Sequence, residues 1–124
     1  MNPPYSDSAC VFCNLDKIAN PVERWVASVH GIVCFVFEPL NPVVPGHLLV
    51  VPEKHVENAT VSPCTAAGAM ELAAMVATRY SSANIITSIG APATQSVMHL
   101  HLHVVPRQEN DGLHLPWTNQ TANR

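Results

Sequence analysis

Three histidines in strict alternation, His99, His101 and His103, stand with Leu100 and Leu102 between them and Val104-Val105 after them. Successive side chains of a β-strand point to opposite faces. This spacing therefore predicts a face of imidazoles backed by Leu100, Leu102 and Val104 in a core. A helix would scatter the three rings around its circumference. At a rise of roughly 3.3 Å per residue, neighbouring rings stand about 7 Å apart and the outer two about 13 Å apart. Metal-ligand nitrogens lie only about 2.0–2.1 Å from zinc, so two adjacent rings reach one ion easily but all three do not. The row is better spaced to surround a phosphoryl group. Imidazole is neutral and nucleophilic near pH 7, and its cation stabilises phosphate oxygens, so the middle ring is expected to attack phosphorus. The alternative is a half-buried histidine strand with no chemistry, which suits a lone histidine far better than three in register.

A second cluster opens the chain. Cys10-Val11-Phe12-Cys13 has a common metal-ligand spacing, but with no second pair it reads equally well as two core thiols.

These groups need a scaffold, and the remaining sequence predicts one. A short helix follows Cys10 and runs to Ala19, where Asn20-Pro21 stops it. Glu23 to Val29 and Ile32 to Phe37 form a hairpin turning at His30-Gly31. Residues 38–46 hold three prolines and a glycine and make a stiff loop, after which His47 to Val51 is a strand ended by Pro52. Ser62-Pro63 starts the main helix, with Ser62 as N-cap and Ala66, Met70, Ala73, Ala77 and Tyr80 as its buried stripe. Asn84 to Ile89 is a fourth strand, and Gly90 to Thr94 loops into the histidine strand. The fold class is α+β: a five-stranded antiparallel sheet with one main helix and a short N-terminal helix.

The 124 residues form one domain, 1–124, with residues 1–9 an arm and 108–124 a polar tail. Apolar residues are 48% and charged ones 12%, which argues against disorder and for an apolar face covered by a second subunit, hence a homodimer. The net charge of −3 and the lack of a Lys/Arg cluster exclude nucleic acid as a partner, so the substrate is expected to be small. No basic-then-apolar leader and no membrane-length apolar run is found, so a cytoplasmic protein without membrane contact is expected. In that compartment the four cysteines are thiols or ligands, not disulfides.

Gln95 to Arg107 resembles the signature of the histidine triad superfamily, and Val43 to Pro52, with Pro45-Gly46-His47 inside it, resembles that family's second block. Its members include nucleoside phosphoramidases and dinucleoside polyphosphate hydrolases. The resemblance implies a sheet continued across a dimer and a nucleotide hydrolase working through a nucleotidyl-histidine intermediate. His101 would attack through Nε2, its Nδ1–H held by a backbone carbonyl. His103 and His47 would bind phosphate oxygens or support the nucleophile, Ser96 would contact the scissile bridging atom, and Gln95 would lie beside the nucleotide. By the same resemblance Cys10, Cys13, His55 and His99 form a closed structural Zn²⁺ site, leaving Cys34 and Cys64 as buried thiols. Two positions depart from the family. Pro39 stands where Asp or Asn usually bonds the ribose, leaving Glu38 for that contact, and Ser88 stands where an amide is common. Trp117 would either reach the partner's pocket or cap an exposed surface. Transfer to an acceptor other than water, and nucleotide binding without turnover, are the rival readings.

Overall fold

The structure is a computed structural model that describes residues 7, 9–18 and 20–115. Five strands, β1 (Val22–Val26), β2 (Val33–Phe37), β3 (Leu48–Pro52), β4 (Ala83–Ile86) and β5 (Leu102–Pro106), form one sheet in the order β1-β2-β3-β5-β4. Every neighbouring pair is antiparallel, as expected. The one main helix, α1 (Pro63–Ala77), joins β3 to β4, and Ser62 caps it by accepting from the Thr65 N–H at 3.3 Å. In place of a continuous N-terminal helix there are two single 3₁₀ turns, Val11–Cys13 and Leu15–Lys17. Trp117 lies outside the described residues.

The pleat divides the interior in two. Val36, Val50, Leu102 and Val104 face α1 and pack with Leu72, Ala73 and Val76. Phe37, Leu49 and Val51 face the other way, onto Phe12 of the N-terminal turns. His103 is paired with Leu49 and so shares this second face, which fixes where the chemistry sits: opposite the helix, beside the N-terminal segment.

Of the expected helix stripe Ala73 is buried and Ala66, Ala77 and Tyr80 pack against the core, joined by the buried Thr65, Gly68, Ala69, Leu72 and Val76, while Met70 is 44% exposed. The reason is Gly68: a Cβ there would stand 2.5 Å from Ile32 Cβ, so the bare backbone lets α1 approach the β1–β2 hairpin and turns Met70 outward. Cys34 is buried, its thiol pushed up to about 12 by burial, but Cys64 is exposed on the first turn of α1, not buried as expected.

Candidate active site and metal centre

The histidine row is not one continuous strand. Regular pairing with β3 covers only Leu102 to Val104, opposite Leu48 to Val50, although β3 itself continues to Pro52. Upstream, individual bonds replace the ladder. The Leu100 N–H donates to the Val56 carbonyl at 2.7 Å, and the Thr87 hydroxyl donates to the His101 carbonyl at 2.8 Å. The strand expected over Asn84 to Ile89 accordingly stops at Ile86, and Thr87 bonds the His101 backbone instead. The row splits as a result: His99 is fully buried, while His101 and His103 face a cleft.

His101 donates its Nδ1–H to the His99 carbonyl at 2.7 Å, leaving Nε2 with a free lone pair. His47 is brought to the same cleft from the start of β3. Gly46 before it has φ +90, a conformation that favours glycine, and the Tyr80 hydroxyl donates to the Gly46 carbonyl at 2.7 Å. The Val43 N–H donates to His47 Nδ1 at 3.1 Å, so a neutral His47 carries its proton on Nε2 and donates it to His103 Nδ1 at 3.0 Å. His103 must then hold its own proton on Nε2. Tautomers assigned from these partners make the two rings, with centroids 5.2 Å apart, chemically opposite: His101 offers a lone pair and His103 an N–H. Burial lowers the basicity of all three, opposed at His101 by the His99 carbonyl and at His47 by Glu38. For His103, burial with His101 and His47 alongside brings it to about 4. Each of these shifts favours the neutral ring.

Two cavities meet at this trio. The larger, about 430 Å³, is mainly apolar and is lined by Phe37, Leu40 and Val97, with Glu38 and Ser96 among its polar residues. The smaller, about 270 Å³, includes Asn84, Ser88, Arg107 and Leu113 in its walls, and His47, His101 and His103 line both. Glu38, Ser88 and Ser96 are therefore at the cleft, as expected. Gln95 is not: it is 4% exposed, and its amide accepts from the Gly90 N–H and donates to the carbonyls of Glu57 and Val97. It holds the loop that carries Ser96, which corrects its expected place beside the nucleotide.

The second cluster lies beyond Phe12, whose ring meets His99 and His101 edge to face at 6.0 and 5.1 Å and separates the two sites. One ligand-type atom each of Cys10, Cys13, His55 and His99 lies within 4.8 Å of the others. His99 donates Nε2–H to the Pro52 carbonyl at 2.7 Å, so its Nδ1 lone pair points at the cluster. That atom is 3.5 Å from both thiol sulfurs and 3.1 Å from His55 Nδ1, and Cys13 Sγ is 3.2 Å from His55 Nδ1. In a tetrahedron with metal–sulfur bonds of about 2.3 Å and metal–nitrogen bonds of about 2.0–2.1 Å, ligand atoms stand roughly 3.3–3.8 Å apart. The donor set fits a metal ion. Phe12, Thr87 and Asn84 were not singled out from the sequence as site residues, and Tyr80 was read only as part of the helix stripe; of the first three only Phe12, an aromatic inside the cysteine pair, carried a local signal.

Comparison with known proteins agrees with this geometry. Residues 31–110 match the family model described as HIT domain. The chain is 29% identical over 122 residues to an adenylylsulfatase of Arabidopsis thaliana, covering 93% of this chain but only 59% of that protein. It is also 29% identical over 122 residues to an adenosine 5′-monophosphoramidase of Saccharomyces cerevisiae, covering 95% of this chain and 75% of that one. Among solved structures, a zinc-bound histidine triad family protein of Mycobacterium smegmatis aligns with a TM-score of 0.65 at 31% identity over 86% of this chain and 80% of its own.

Proposed function

The chain belongs to the HIT domain family, and from that premise we propose that it is a nucleotide hydrolase cleaving a nucleoside phosphoramidate or dinucleoside polyphosphate through a covalent nucleotidyl-His101 intermediate. Two relatives named as an adenylylsulfatase and an adenosine 5′-monophosphoramidase support hydrolysis of a nucleotide bond. The observation that carries the mechanism is the opposed tautomer pair. His101 Nε2 holds a lone pair at the junction of the two cavities, and His103 beside it offers an N–H to a phosphoryl oxygen.

In the first step the Nε2 lone pair of His101 forms a bond to phosphorus, and the bond from phosphorus to the leaving group breaks. The leaving group departs with the electron pair and takes a proton from solvent, with Ser96 at the cleft edge as the hydroxyl that contacts the bridging atom. In the second step water adds to phosphorus, the P–N bond breaks with its electrons returning to Nε2, and the nucleoside monophosphate leaves with loss of a proton. The larger apolar cavity takes the nucleoside, with Glu38 able to accept from two ribose hydroxyls, and the smaller one takes the leaving group.

Cys10, Cys13, His55 and His99 would hold a structural Zn²⁺, which when bound ties the N-terminal turns to the segment before β5 and takes no part in the chemistry. A homodimer completes the reading. The exposed Ala67, Met70, Ala74 and Met75 leave the outer face of α1 apolar, and β4 is a free sheet edge. No helix among the described residues is long and apolar enough to cross a membrane. The test is hydrolysis of an adenosine phosphoramidate and of a diadenosine polyphosphate by the wild type and His101→Ala. Turnover lost in a folded variant supports the assignment, and full turnover in it removes the assignment.

A further inference from the structure

The smaller cavity is walled by the chain's own last described segment. Leu113, His114 and Leu115 line it together with His101 and His103, and Ile86 and Val105 add to its apolar surface, with Asn84, Ser88 and Thr94 among its polar residues. A clasp fastens the start of that segment. Asp111 accepts from Arg107 Nε at 2.8 Å and Nη2 at 3.1 Å, and from the backbone N–H groups of Gln108 and Leu113 at 3.0 Å each. Arg107 also donates to Asn84 Oδ1 at 2.7 Å and to the Leu113 carbonyl at 2.9 Å, so these four bonds use four of its five N–H groups. Among the described residues lining this cavity, Arg107 is the one permanent cation, and a carboxylate outside the cavity already neutralises it.

We propose that the Arg107–Asp111 clasp determines which leaving group is accepted, by holding Leu113 and Leu115 as apolar parts of the wall and by masking the guanidinium. Resting on the hydrolase reading above, this assigns the cavity to uncharged, hydrophobic amines and against leaving groups that carry a carboxylate or phosphate. The one permanent cation that an anionic group entering it would meet among the described lining residues is a guanidinium whose bidentate partner it must displace.

The experiment compares two adenosine phosphoramidates of equal size, one of phenylalanine with its free carboxylate and one of phenylalaninamide. The wild type is expected to favour the amide in kcat/KM by about tenfold. Asp111→Asn frees the guanidinium and should compress that preference about tenfold, whereas Arg107→Met removes the cation and should retain or enlarge it. Simple loosening of the segment would move both variants in one direction, so opposite directions identify the charge role. If Asp111→Asn does not fold, the wild-type ratio and Arg107→Met decide. A wild type that prefers the carboxylate, or variants whose ratios move together, would overturn the proposal. Equal turnover of both substrates with label trapped on His101 refutes the clasp alone, while absence of any label on His101 refutes the hydrolase reading and the clasp with it.

Discussion

Thr87→Val tests whether isolated bonds hold His101, the proposed nucleophile, where the sheet ladder is missing. Valine keeps the shape and β-branching of threonine and removes only the hydroxyl, which donates to the His101 carbonyl at 2.8 Å. That carbonyl lies one residue before β5 begins, outside the pairing of β3 and β4 with β5. His101 itself is 8% exposed, so water is poorly placed to replace the lost donor. A net hydrogen bond contributes about 1 kcal/mol and an unsatisfied buried acceptor costs about 1–3 kcal/mol, so a loss of about 1–2 kcal/mol is expected. For a domain of this size that lowers Tm by roughly 4–8 °C. The same substitution releases the peptide carrying the attacking ring, and kcat should fall about tenfold with KM little changed. Thermal unfolding followed by circular dichroism, together with steady-state kinetics on an adenosine phosphoramidate, reads both effects. Unchanged Tm and unchanged kcat would refute the idea that side-chain bonds substitute for the ladder here.

Other perturbations follow from the same geometry. Gly68→Ala gains about 1 kcal/mol of helix propensity, but its Cβ would sit 2.5 Å from Ile32 Cβ, so net destabilisation of about 1–3 kcal/mol is expected by urea denaturation and should be relieved by adding Ile32→Ala. Elemental analysis should find about one zinc per chain, lost in Cys13→Ser, with a lower Tm in the variant and in chelator-treated wild type; metal retained in Cys13→Ser would contradict the ligand set. His103 is brought to about 4 when folded, below the ordinary histidine value. The unfolded chain therefore binds more protons between about pH 6.5 and 4, and stability should fall as pH drops through that window, by about 1 kcal/mol from this ring after allowing for solvent screening. His103→Gln should flatten that part of the pH–stability curve.

What the sequence made legible follows from which interactions are local. Alternation of His99, His101 and His103 with Leu100, Leu102 and Val104 reports a pleated face directly, and the antiparallel α+β sheet and the Ser62 cap also follow from short-range chemistry. The four metal-type ligands were legible through family resemblance and come together as expected. The stripe of α1 was legible except at Met70: Thr65 and Gly68 face the core without any apolar signal, and the close approach at Gly68 involves Ile32, far away in the chain. The split of the histidine row was not legible: the β3–β5 pairing stops at Val50 and Leu102, and the Pro52 carbonyl accepts from the His99 ring, a contact across forty-seven positions. The inward turn of the Gln95 amide and the folding back of Leu113 under the Arg107–Asp111 pair are likewise long-range packing outcomes.

The most direct measurement is rapid-quench mapping of the wild type mixed with an adenosine phosphoramidate, with the modified peptide identified by mass spectrometry and the phosphorus–nitrogen linkage by NMR. An adenylyl group on Nε2 of His101, absent from a folded His101→Ala variant, is the predicted result. Turnover with no adduct, or an adduct on His47, His103 or any other side chain, would contradict the account.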